Sequence, residues 1–137
     1  MDNSNNRLQE VFFYGLYMDE EILESKGITI RNKRSGVAKG YKLRIGNMAT
    51  LLRVEQSKAY GMIYSLTHNE IYKLYEGSGL MNYISEAILV TTNDNKIIAT
   101  LCCNLIDPPS ENEKNQEYYE KLTKCMEKYK LPSPRVV

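Results

Sequence analysis

Residues 11–18 read VFFYGLYM, an unbroken apolar run that halts at a glycine. Side chains alternate faces along a strand, so a run with no polar position in Val11-Phe12-Phe13-Tyr14 predicts a strand covered on both sides and central in its sheet. Gly15 ends it. Beyond the turn, DEEILESKG (19–27) sets three acids at the positive end of a helix dipole and closes on Lys26 and Gly27, so a short helix over 19–26 is expected. On the other side, residues 1–9 (MDNSNNRLQ) are polar and aperiodic and read as a loose leader.

From Thr29 to Leu66 the pattern is that of several short antiparallel strands, with Gly36, Gly40, Gly46 and Gly61 among them. Glycines inside strands mark bulges and tight bends, which let a sheet curl toward a barrel. Thr67 and Glu70 have capping-box spacing and open a helix over 67–75. A glycine-containing loop over 76–82 leads into a strand beginning at Tyr83. Asn93, Asp94 and Asn95 form a hairpin turn into IIATLCCNLI (97–106), a second buried run that Pro108 and Pro109 stop. Ser110 and Glu113 repeat the capping spacing, and Tyr118, Leu122, Cys125, Met126 and Tyr129 recur at helical steps, so a C-terminal helix is expected over 110–130. No repeat or linker divides the chain, and residues 1–137 are expected to form one domain.

A chain of 137 residues with 42% apolar composition can bury a real core without a metal or disulfide staple. No apolar run approaches the ~20 residues of a membrane span, and the chain does not open like a signal peptide, so a cytoplasmic protein is expected. Eighteen basic against seventeen acidic residues give no chain-wide positive field, which disfavours nucleic acid as a partner. The basic stretch Lys26, Arg31, Lys33, Arg34, Lys39, Lys42 and Arg44 reads as a solvated strand face. Three cysteines, two of them adjacent, fit neither a disulfide framework nor a zinc knuckle and read as reduced, buried thiols. Eleven tyrosines against two phenylalanines and no tryptophan imply many half-buried rings with hydroxyls on partners.

Little metal or nucleotide chemistry is open to this sequence. His68 is the single histidine and sits at a helix start, where it reads as surface. With no paired histidines, no calcium-type loop and no GxGxxG, GxxxxGK or GxSxG, no metal or cofactor is expected. Acid-base work by a carboxylate remains, and Glu76 stands where a helix gives way to a glycine loop before a strand. A half-desolvated carboxyl there would have a raised pKa and could act as a general base; the plain alternative is a solvated helix-end acid. The turn Tyr14-Gly15-Leu16-Tyr17 could fan backbone N–H groups toward an anion or developing oxyanion, or could simply be a tight turn packed with aromatics.

Taken in order, FFYGLYM (12–18), YGMIYSLT (60–67) and EGSGLMNY (76–83) resemble the gamma-glutamylcyclotransferase-like family, also called AIG2-like or butirosin-synthesis-like. The resemblance covers residues 11–106. It implies an α+β fold, a small mixed, mainly antiparallel β-barrel with flanking helices, and a cavity closed by the Tyr-Gly loop. It also implies intramolecular aminolysis of a γ-glutamyl amine or dipeptide that releases 5-oxoproline. Orientation of the substrate's own amine supplies much of the rate, without a cofactor. By similarity Glu76 would be the general acid/base, with Tyr14, Gly15, Leu16, Tyr17 and Tyr83 holding the small-molecule substrate. Where that family usually has Tyr-Gly-Ser-Asn-Leu, this chain has Leu16 and Tyr17 after Gly15, a bulkier and more apolar wall. The segment before Glu76 is also shorter, and Glu86 on the following strand is the fallback acid. A non-catalytic small-molecule-binding module on the same fold is the alternative.

Overall fold

The computed structural model describes residue 4 and residues 6–134 and has a mixed α+β architecture: a five-stranded, mostly antiparallel sheet flanked by helices. The strands are β1 (Leu8–Phe13), β2 (Arg34–Ile45), β3 (Ala49–Thr67), β4 (Tyr83–Thr92) and β5 (Ile97–Leu105). The helices are α1 (Glu20–Ser25), α2 (His68–Leu74) and α3 (Gln116–Lys128). No helix is long and apolar enough to cross a membrane.

The apolar run is central, as its composition demands. Val11, Phe12 and Phe13 are all buried, with β3 antiparallel along the whole of β1 and β5 meeting it in parallel at one position, Val11 opposite Leu101. That position, with a short β2–β4 contact at Gly36 and Val37, closes the order β1-β3-β2-β4-β5 on itself. Two glycines make the curvature feasible. At Gly40, φ +84, the β2–β3 register shifts between Lys39 and Tyr41, leaving residues 54–57 as a bulge on β3. At Gly61 a Cβ would lie 2.1 Å from the Phe13 carbonyl oxygen, so only glycine allows β1 and β3 to approach there. Tyr64, fully buried, anchors the core from β3 and donates its hydroxyl to the Met18 carbonyl at 2.6 Å.

Three sequence expectations need correction, the first being that the several short strands expected from Thr29 to Leu66 are two long ones, β2 of 12 and β3 of 19 residues. The leader expected over 1–9 gives way to strand at Leu8, and residues 1–3 and 5 lie outside the described residues. The C-terminal helix begins at Gln116 rather than 110, capped by Asn115, whose side chain accepts the Tyr118 N–H at 3.1 Å. Ser110 and Glu113 form no capping box, because the Glu113 carboxylate is drawn to the β2–β3 turn and accepts the Asn47 N–H at 3.1 Å. The basic stretch is largely neutralised: Arg31, Lys33, Arg34 and Arg44 pair with Glu70, Glu20, Glu10 and Glu111. All three cysteines are free and buried.

The Thr67–Glu70 capping box forms as spaced. Glu70 does more than cap: its carboxylate also accepts from Arg31 at 2.7 Å and from the Thr29 N–H at 2.9 Å, fastening the α1–β2 loop to α2. Burial pushes its carboxyl pKa up, but the Arg31 guanidinium and the Thr67 and Thr29 amides outweigh this and hold it below the ordinary value. A lowered folded-state pKa stabilises above the unfolded value of 4.5, and that stability is lost as pH falls through the folded one. Glu70→Ala is therefore expected to cost about 2–3 kcal/mol at pH 7, read from urea midpoints. The gap between variant and parent should shrink below pH 4; a cost under about 0.5 kcal/mol would contradict the fastening role.

Candidate functional site

Five of the residues chosen from sequence, Tyr14, Gly15, Leu16, Tyr17 and Tyr83, meet at one cavity of about 240 Å³. The end of β1 and the turn after it supply Phe13, Tyr14, Gly15, Leu16 and Tyr17; the β2–β3 turn supplies Asn47, Met48 and Ala49. Tyr75 and Leu80 come from the segment after α2, Tyr83 opens β4, and Tyr118 enters from the first turn of α3. A larger cavity of about 490 Å³ on the other side of Tyr14 lies between the β3 bulge and residues 132–134, and of the sequence-chosen residues it contains only Tyr14.

Tyr14, Gly15, Leu16, Tyr17 and Tyr83, expected around a substrate, thus all line the cavity. The amide fan expected from the turn is partly occupied. Leu16 N–H donates to the Tyr118 hydroxyl at 3.2 Å, and Met18 N–H closes back on the Gly15 carbonyl at 2.9 Å as the turn winds into 3-10 helix. A Cβ at Gly15 would stand 2.4 Å from the Tyr118 hydroxyl oxygen, so a larger residue there would have to displace the Tyr118 side chain.

Glu76, expected as the acid/base, does not line the cavity and is exposed. The cause is one residue of chain phase. α2 ends at Leu74, Tyr75 is its C-cap, and a 3-10 turn over Glu76–Ser78 follows. The Tyr75 carbonyl accepts from Ser78 N–H at 3.2 Å and Leu80 N–H at 2.7 Å, folding the loop around Tyr75. Tyr75 then lines the cavity and its neighbour faces solvent. Glu86 is not a lining residue either; it pairs in register with Cys102 on β5. His68 is exposed at the first position of α2. Among the described residues no three His, Cys, Asp or Glu side chains gather to hold a metal.

Five of the twelve wall residues are tyrosines: Tyr14, Tyr17, Tyr75, Tyr83 and Tyr118. In the sequence Tyr118 stands out only as part of a helix stripe, and Tyr75 carries no signal that sets it above Glu76. Most of the hydroxyls are tied to main chain. Tyr14 donates to the Cys103 carbonyl at 2.7 Å, Tyr17 to the Leu74 carbonyl at 2.8 Å and Tyr83 to the Ala49 carbonyl at 2.6 Å. Burial pushes all five pKa values up, that of Tyr14 and Tyr75 well above the ordinary 10.0. The wall is uncharged at neutral pH, and the same burial raises the Cys103 thiol behind it.

Raised tyrosine pKa values leave stability flat below pH 10 and erode it above, since the unfolded chain ionises first. In a spectrophotometric titration of the eleven tyrosines, one class should ionise only together with unfolding. A single reversible transition near pH 10 for all of them would contradict the buried, hydrogen-bonded wall.

No protein-family model matches the chain, and no curated protein matches it. Solved structures do. A gamma-glutamyl cyclotransferase superimposes with a TM-score of 0.77 at 17% identity, over 92% of this chain and 82% of that one. An uncharacterized protein from Homo sapiens gives 0.74 at 17% identity with the same coverage of both chains. An AIG2-like protein from Mus musculus gives 0.58 at 14% identity, over 81% of this chain and 90% of that one. At such identities shared structure carries the fold and not the reaction. The chain has the fold of gamma-glutamyl cyclotransferase and AIG2-like proteins.

Proposed function

We propose that this protein binds a small molecule in the tyrosine-walled cavity and does not carry out γ-glutamyl cyclisation. The observation that carries this is the composition of the wall: none of its twelve residues is acidic, basic or histidine. Cyclisation requires a group that takes a proton from the substrate's α-ammonium and delivers it to the leaving nitrogen. Glu76 is exposed and outside the wall, and phenols whose pKa burial has raised are poor bases near neutrality. A γ-glutamyl substrate also brings an α-carboxylate and an α-ammonium, and burying them without counter-charges is costly.

The test is incubation with a panel of γ-glutamyl amines and γ-glutamyl dipeptides, with 5-oxoproline quantified by mass spectrometry. None is expected above the no-protein control. Release of 5-oxoproline from any member overturns the proposal, and its loss in Glu76→Gln would return that acid to the reaction.

A further inference from the structure

From the arrangement of the aromatic rings we infer that the cavity is a box for a compact organic cation, specifically a small quaternary ammonium group. The inference rests on the binding function proposed above and names its ligand class. Its first support is geometric. Phe13 and Tyr17 meet edge to face, with an interplanar angle of 87° and centroids 6.3 Å apart. Tyr17 and Tyr75 do the same at 82° and 5.6 Å, and Tyr75 and Tyr83 are tilted by 55° at 5.4 Å. A flat guest needs two parallel ring faces to stack between. Panels standing across one another form corners, and a corner suits a globular guest.

The second support is electrostatic. Aromatic faces carry negative potential, and the wall itself holds no ionised group. Tyr14, Tyr17 and Tyr83 donate their protons to carbonyls, which leaves the phenol oxygens and rings electron-rich. One of these rings already has a cation beside it: the Nζ of exposed Lys26, itself not a wall residue, lies 5.8 Å from the Tyr17 centroid.

The third support separates a quaternary from a primary ammonium. A primary ammonium brings three N–H donors that must be met inside. The carbonyls of Ala49, Leu74 and Cys103 are engaged by tyrosine hydroxyls, that of Ala49 by both Tyr14 at 3.3 Å and Tyr83 at 2.6 Å. A quaternary ammonium brings no donor and gives up little hydration. Size agrees: 240 Å³ is the space of about eight waters at roughly 30 Å³ each, enough for a choline-sized guest.

The experiment titrates the protein with choline and tetramethylammonium, and in parallel with 3,3-dimethylbutan-1-ol, the uncharged isostere of choline, following tyrosine ring resonances by NMR. Both cations are expected to shift cavity tyrosines, and the neutral isostere to bind at least about tenfold more weakly. Tyr75→Phe, which keeps the ring, should retain choline binding within a few-fold. Tyr75→Leu should lose it at least about tenfold with the near-ultraviolet circular dichroism of a folded chain. Equal binding of the isostere overturns the cation box while leaving a binding module, and no binding of either cation to the folded protein also overturns it. Release of 5-oxoproline in the assay above would instead overturn the function on which the inference rests.

Discussion

The hydroxyl of Tyr14 holds the seam of this structure. β1 and β5 share a single ladder position, Val11 opposite Leu101, too little backbone pairing to fix two strands side by side. One step past the end of β1, Tyr14 donates to the Cys103 carbonyl of β5 at 2.7 Å and lies 3.3 Å from the Ala49 carbonyl at the start of β3. A phenol buried to 6% exposure would cost about 1–3 kcal/mol if left unpaired, so its presence there requires those carbonyls to stay in place. Tyr83 repeats the device from β4, on the same Ala49 carbonyl. The strand ends are thus gathered by side chains rather than by ladder hydrogen bonds, and the space between them is the cavity.

The character of the cavity follows from that construction. Phenols that serve as struts direct their protons to main chain and their rings to the void, and burial keeps them neutral. Such a wall offers polarizable surface and fixed shape, but neither a base nor a counter-ion. The Tyr-Gly turn lines the cavity and the fold is that of a gamma-glutamyl cyclotransferase, while none of the residues lining the void is acidic, basic or histidine. A shared scaffold is set by core and turns, whereas the chemistry of a site rests on a few side chains.

What could be read from the sequence follows the range of the interactions involved. The helix within 19–26, the Thr67–Glu70 box and the turn at 93–95 depend on neighbours within four residues and form where their spacing places them, and the apolar run at 11–13 marks the buried half of the strand Leu8–Phe13. Asn115 capturing the start of α3 from Ser110 was legible only with knowledge that Glu113 would be held by Asn47, a contact across 66 residues. The cavity wall divides the same way. That Tyr14 to Tyr17 and Tyr83 line the cavity is legible because the turn and strand start that carry them are marked by local sequence. The place of Tyr118 is not, since it reaches Leu16 across 102 residues. Glu76 against Tyr75 turned on a single residue at a helix end. There the side-chain direction rotates by about 100° per position, and the carbonyl of Tyr75, not any periodicity, organises the loop.

The most direct measurement is a crystal structure of the chain grown with tetramethylammonium. The expected result is the cation enclosed by the rings of Tyr17, Tyr75 and Tyr83, with the Glu76 carboxylate in solvent. A cation bound elsewhere, or Glu76 turned inward against Gly15 and Leu16, would contradict the view that this cavity is an uncharged tyrosine box built for binding.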